Sequence, residues 1–207
     1  MQEKKALLND YLNHVRKNLP ANPQEQLINE WSAKLYQMYP DDIGVLSPLL
    51  LNVVSLKAGE GLFLPSGVLH SYLQGAGIEI MANSDNVLRG GLTTKYVDIC
   101  ELLRIVDFQP QIIRPIKPHK VLTKEKLYQT TAKEFALSFI RHISHKMTVI
   151  NRSDSPEILF CYKGSFVIEN CSQFLTLEQG QSVFVPYETE GYVIDGKGIL
   201  YRARVNS

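Results

Sequence analysis

Apolar residues fall at helical spacing over the first forty positions and then change to short, strand-like runs. In "KKALLNDYLNHVRKN", Leu8, Leu12 and Val15 share one face with charges opposite, the pattern of an amphipathic helix. A second helix is predicted from "ANPQEQLINEWSAKLYQMYP". Asn22 supplies a cap, Pro23 suits the first helical position, and Glu25 completes a capping-box pattern. Leu27, Trp31, Leu35 and Met38 form the stripe expected to be buried, and Pro40 ends the helix. Beyond Ile43 come "LLLNVVSL", "GLFLPSG" and "GIEIMA", and later "EILFCY", "SFVIEN", "QFLTL", "SVFVP", "YVIDG" and "ILYRARV". Short runs separated by turn residues predict an all-β sandwich or barrel. Between the two groups, "FQPQIIRPIKPHK" carries Pro110, Pro115 and Pro118 and reads as an extended linker.

The β runs contain a repeat. "GEGLFLP" begins at Gly59 and "GQSVFVP" at Gly180, each with Pro six positions after its first Gly. Two copies of one β unit so far apart predict two related β domains in series. The first copy continues to His70, whereas the matching position of the second is Gly191. Any metal chemistry carried by the unit therefore belongs to the first copy.

Composition narrows the function classes. With 44% hydrophobic and 21% charged residues, the 207-residue chain is ordinary for a globular protein. The 22 Lys and Arg nearly balance 21 Asp and Glu, so there is no electrostatic footprint for nucleic acid or an anionic membrane. No apolar run is long enough to span a bilayer, and "MQEKKALLND" has no secretory apolar core. Cys100, Cys161 and Cys171 are too few and scattered for a disulfide framework, which predicts reduced thiols in a cytoplasm.

The spacing Gly59-x5-Pro65-x-Gly67-x2-His70 resembles the second motif of the cupin jelly-roll barrels, in which the His points into the barrel. The following block "EIMANSDNVLRGGLT.KY" resembles the signature region of the type I mannose-6-phosphate isomerases. The resemblance runs upstream through "PDDIGVLSPLLLNVVSLKAGE" and more loosely to the C-terminus, and corresponds to the C-terminal half of that family. It implies a mainly β fold: cupin-type jelly-roll β-barrels in series with an N-terminal α-helical segment. The expected domains are a helical segment over 1–42, the C-terminal half of a metal-binding cupin barrel over 43–107, a linker over 108–119, and a metal-free cupin-like β domain over 120–207.

The implied activity is zinc-dependent interconversion of mannose 6-phosphate and fructose 6-phosphate. Such an isomerisation needs a base, a cation beside the developing oxyanion and a grip on the phosphate. By the resemblance His70 is a ligand of one zinc per complete site, and Glu79 is an acidic residue near the substrate. Asp85 and Arg89 belong to a polar loop over the site, and Lys95 is a basic residue in "LT.K", where Thr94 replaces the family's usual Pro. Arg89 suits charge stabilisation at either the enediolate or the phosphate. The residues alone leave other roles open: His70 as a half-buried strand histidine bonded to a backbone carbonyl, Glu79 as an orienter of His70, Asp85 as a turn residue, Lys95 as a solvated charge.

An open zinc site needs three or more protein ligands. The family's others, a Gln-x-His pair and a Glu, have no counterpart in residues 1–51, where His14 is the only histidine. His119, His142 and His145 read as ordinary strand or loop histidines. The chain by itself is thus expected to bind zinc weakly or not at all and to be inactive alone. A second chain or domain, or a swapped copy, is the expected partner supplying the missing half-barrel, with a sugar phosphate as substrate. The alternative is a non-catalytic cupin module that binds a sugar phosphate or a protein partner.

Overall fold

The computed structural model describes residues 2–17, 19–84, 86–150, 155–170 and 173–206. The chain divides into two compact units. The first comprises residues 1–55, 64–75 and 85–113, and the second residues 56–63, 76–84 and 114–207.

In the first unit the two predicted helices are present. The first, α1, covers Gln2–Lys17 and buries Leu8 and Leu12. The second, α2, covers Pro23–Met38. Its start follows the sequence signal: Asn22 accepts the Glu25 N–H at 2.9 Å, and the Glu25 carboxylate accepts the Ala21 N–H at 2.6 Å. Together these satisfy backbone donors at the helix start. The buried stripe is narrower than the pattern predicts. Leu35 and Ser32 are buried, Leu27 and Trp31 are half-buried, and Met38 is exposed at the helix end. Lys34 lies over the Trp31 ring at 4.5 Å and shields it instead. A 3₁₀ turn over Ile43–Leu46 and a short helix α3, Ser47–Leu50, follow. Leu8, Leu35 and Val45 form the core, with Tyr36, Tyr39, Leu46, Leu73 and Leu92 packed against it. The helix α4, Ile99–Ile105, is capped by Asp98, which accepts the Glu101 N–H at 3.0 Å.

The runs "LLLNVVSL", "GLFLPSG" and "GIEIMA" differ from expectation. Among the described residues from 51 to 98 there is no strand, only one isolated bridge between Gly61 and Ile116. Their alternation favours extended backbone, but a ladder also requires a neighbour to share its hydrogen bonds.

The second unit holds the sheet. Seven strands are described: β1 (His119–Lys120), β2 (Glu125–Tyr128), β3 (Ala136–Ile150), β4 (Glu157–Asn170), β5 (Gln173–Glu178), β6 (Ser182–Val185) and β7 (Gly191–Arg204). All pairings are antiparallel, in the order β1-β2-β3-β7-β4-β5, with β6 on β4. This is the mainly β, jelly-roll-like architecture that the sequence predicts. The strands β3, β4 and β7 are long, at 15, 14 and 14 residues. The strands β4 and β7 each join two of the predicted runs, and register shifts between Cys161 and Lys163 and, in β3, between Arg141 and Met147 mark where the ladder breaks step. The core lies between the halves: Ile140, Val149, Leu159, Cys161, Phe166, Leu177, Ile194 and Leu200.

Three chain segments meet at Tyr128. Its hydroxyl donates to the Gly59 carbonyl at 3.0 Å, and a Cβ on Gly61 would lie 2.9 Å from its ring. Tyr128 contacts Phe139, which contacts Tyr201, which contacts Tyr162, at ring separations of 5.9, 6.0 and 5.9 Å. Burial, reinforced by Tyr201, pushes the Tyr128 phenol up to about 12 from 10.0. Burial also raises Tyr192 and Tyr201. A phenol with a raised pKa stabilises the fold fully below its ordinary value and loses that contribution as pH climbs to the folded value. The β unit is therefore expected to lose denaturant resistance between pH 10 and about 12, by urea titration. The Tyr128→Phe variant should show a shallower fall, and an identical one would remove Tyr128 from the effect.

Inside the sheet lies a buried charged network. The Arg202 guanidinium donates from Nε to Glu157 at 2.9 Å and from a terminal nitrogen to Glu125 at 3.1 Å, and pairs a second time with Glu157. Ser138 donates to Glu125 and Tyr192 donates to Glu157, both at 2.6 Å. None of these side chains is more than 5% exposed. Burial alone would lower the guanidinium's pKa, but its bonds to Glu157, with Tyr192 and Glu125 beside it, raise it.

Candidate functional site

His70 follows the turn Pro65-Ser66-Gly67, where the Gly67 carbonyl accepts the Asp107 N–H at 2.9 Å. The imidazole is exposed, and its Nδ1 lies 2.9 Å from the Val68 carbonyl. A carbonyl only accepts, so Nδ1 carries a proton and donates to it, which leaves Nε2 as the ring nitrogen a metal could take. That is the tautomer a metal-ligating histidine uses, with its other nitrogen held by a backbone oxygen. Tyr72 meets the ring edge-on at 6.3 Å.

The segment carrying Arg89 and Lys95 belongs to the same unit as His70. Arg89 is exposed and is followed by Gly90, where a Cβ would lie 2.4 Å from Leu69. Leu92 has φ of 51°, the one left-handed non-glycine among the described residues. Such backbone costs about 1–2 kcal/mol. It is held there by Asp42, whose Oδ2 accepts the Leu92 N–H at 2.8 Å while Oδ1 accepts the Gly44 N–H at 2.8 Å. Lys95 has an exposed side chain, and its N–H donates to Thr93 Oγ1 at 3.1 Å. A wide-open depression beside this segment is lined by Tyr39, Pro40, Asp41, Asp42, Ile43 and Thr93. Glu79 is exposed and belongs to the second unit. Asp85 lies outside the described residues.

Among the described residues no three His, Cys, Asp or Glu groups come together as a metal site. His70 has the right tautomer and exposure for a ligand, but the described residues do not complete a site around it. In the β unit, the buried carboxylates Glu125 and Glu157 are both paired with Arg202. No helix among the described residues is long and apolar enough to cross a membrane.

Sequence reasoning missed Asp42. Its signal is the "DDIG" turn, an Asp two residues before a Gly, but the Leu92 bond joins positions 50 apart and leaves no local pattern.

Comparison with known proteins agrees with this architecture. The family model "Mannose-6-phosphate isomerase, cupin domain" matches residues 124–205. The mannose-6-phosphate isomerase of Escherichia coli K12 is 41% identical over 167 residues, covering 80% of this chain and 42% of the relative. A probable mannose-6-phosphate isomerase of Dictyostelium discoideum is 35% identical over 192 residues, covering 88% and 41%. The crystal structure of the Salmonella typhimurium enzyme bound to fructose 6-phosphate and zinc superposes with a TM-score of 0.77 at 35% identity. That superposition covers 98% of this chain and 49% of the other. The chain spans about half the length of the relatives it matches. With a family model matching residues 124–205 and a shared fold over nearly all its residues, the chain is similar to one half of the mannose-6-phosphate isomerases.

Proposed function

We propose that this chain is one half of a zinc-dependent aldose–ketose isomerase that interconverts mannose 6-phosphate and fructose 6-phosphate. The observation that carries the reading is the likeness, over 98% of the chain, to an enzyme structure holding fructose 6-phosphate and zinc. His70 would be this chain's zinc ligand, with Nε2 free to bind. Because the described residues do not complete a zinc site, the remaining ligands come from outside the described residues, and we place them in a further segment of the same polypeptide or in another chain. We read the β unit over 120–207 as the metal-free cupin, its buried carboxylates Glu125 and Glu157 paired with Arg202. Three cysteines, too few and scattered for a disulfide framework, favour a reducing compartment, and we place the protein in the cytoplasm.

The chain's own residues supply the polar chemistry. Arg89 carries a permanent charge on an exposed, glycine-flanked segment, suited to bind the enediolate or phosphate oxygens bidentately. Lys95 adds a second cation in the same unit. Glu79 and Asp85 are the carboxylates for proton transfer or substrate orientation, which needs a group within hydrogen-bond reach of the moving proton.

The test is a coupled mannose 6-phosphate assay with added zinc, on the 207-residue chain alone and mixed with the other half of a relative. Turnover only in the mixture supports the reading. Turnover by the chain alone moves the missing ligands into this chain or its dimer. No turnover in either, beside an active relative, leaves the non-catalytic cupin module.

In an active mixture Arg89→Ala is expected to lower kcat about 10²–10³-fold, the usual loss for one charge-stabilising donor. An exposed arginine contributes little to folding, so the melting temperature should hardly change. An unchanged kcat would remove Arg89 from the reaction.

A further inference from the structure

We infer that Asp42 is a positioning residue, its carboxylate holding the Arg89–Lys95 segment in one conformation through the Leu92 N–H. The functional side of this rests on the reading that Arg89 and Lys95 serve the sugar phosphate.

The two oxygens of one half-buried carboxylate are divided between two tasks. Oδ1 takes the Gly44 N–H and caps the Ile43–Leu46 turn, and Oδ2 takes the Leu92 N–H, both at 2.8 Å. A carboxylate binds backbone N–H groups more strongly than a neutral acceptor does. The Leu92 bond is made by a residue in left-handed backbone, a conformation that persists only when its surroundings fix it. The surroundings are visible. The Leu92 side chain packs on the Leu8–Leu35–Val45 core, and a Cβ on Gly44 would lie 3.1 Å from its Cγ. Gly90 packs closely on Leu69, whose terminal methyl a Cβ there would displace. Arg89 and Lys95 stand on either side of this anchored stretch with exposed heads. Anchored backbone beneath exposed cations is the arrangement that fixes where a charge meets an anionic substrate. Asp is the fitting residue: Asn offers one acceptor oxygen for two N–H groups, and Ala offers none.

The experiment compares wild type, Asp42→Ala and Asp42→Asn. Amide exchange at Leu92 is followed by NMR on the 207-residue chain, and turnover is followed in the active mixture. Fluorescence of Trp31, the chain's only tryptophan, reports whether the helical unit is intact. In Asp42→Ala, Leu92 exchange should quicken at least about tenfold, as expected for losing a bond to a charged group. Its kcat/KM should fall by about 10²-fold at temperatures where Trp31 still reads native. Asp42→Asn should recover part of both. Unchanged exchange at Leu92 overturns the inference. So does faster exchange with unchanged turnover, or loss of the native Trp31 signal in both variants alike. If wild type never turns over and mannose 6-phosphate shifts no amide, the functional reading fails, and the exchange comparison still decides whether Asp42 holds the segment.

Discussion

Replacing Arg202 by Ala is expected to destabilise the β unit by about 3–5 kcal/mol, the range for removing one partner from a buried ion pair. The loss would leave the Glu125 and Glu157 carboxylates, both almost fully buried, with no cation between them. It would also abolish every bond the guanidinium makes to them. For a unit of this size the melting point should drop by roughly 15 °C or more. A different result is expected when the network is replaced as a set, with Ser138 and Tyr192 included, by apolar residues of similar volume. Buried ion networks then often prove neutral or even unfavourable relative to packed hydrocarbon, so most of the loss should return. Urea unfolding read by far-ultraviolet circular dichroism separates this from the helical unit, which Trp31 fluorescence follows. An Arg202→Ala protein within about 1 kcal/mol of wild type would mean that water reaches the carboxylates.

A second large effect is expected at Gly198. Its φ is 150°, and a Cβ there would lie 1.8 Å from the Lys163 carbonyl oxygen. On the opposite strand a Cβ on Gly164 would lie 1.9 Å from the Lys197 carbonyl oxygen. These obstacles are backbone atoms of paired strands, so no rotamer change relieves them. The two glycines face each other in the β4–β7 register, just beyond the irregularity between Cys161 and Lys163. Gly198→Ala should cost above about 4 kcal/mol, in the range that marks a specific packing or backbone fault. Gly180→Ala is the control, because its φ is 87° but nothing lies within 4 Å of the added carbon. It should cost only the left-handed backbone strain, about 1–2 kcal/mol. Equal losses at the two positions would contradict the close crossing.

The same glycines explain what the sequence could not convey. "YKGSF" and "VIDGKGIL" read as turns between separate strands, since Gly beside Lys or Asp commonly ends a run. In the structure each lies inside one continuous strand, and the glycines let two backbones approach. The strand β3 gave no clear run at all, because "RHISHKM" interrupts the alternation where its pairing shifts register. The helices were legible because their signals are local: Asn22, Pro23 and Glu25 lie within four residues and act on one another. The strands expected in "LLLNVVSL" and "GIEIMA" did not form: Leu49 and Leu50 close the helix α3, and the rest joins no ladder among the described residues, which a strand requires. Candidate site residues came from a family likeness in a dense polar block. The Asp42–Leu92 bond, made across 50 positions, required the fold.

The long strands have a consequence for how the β unit comes apart. One half of β4, Glu157–Phe160, pairs with β6, and the other, Ser165–Asn170, pairs with β5, while β7 runs beside both. Neither half can detach without pulling on a backbone shared with the other. Opening of β4 is therefore expected to be collective along its length, because β5, β6 and β7 all pair with that one strand.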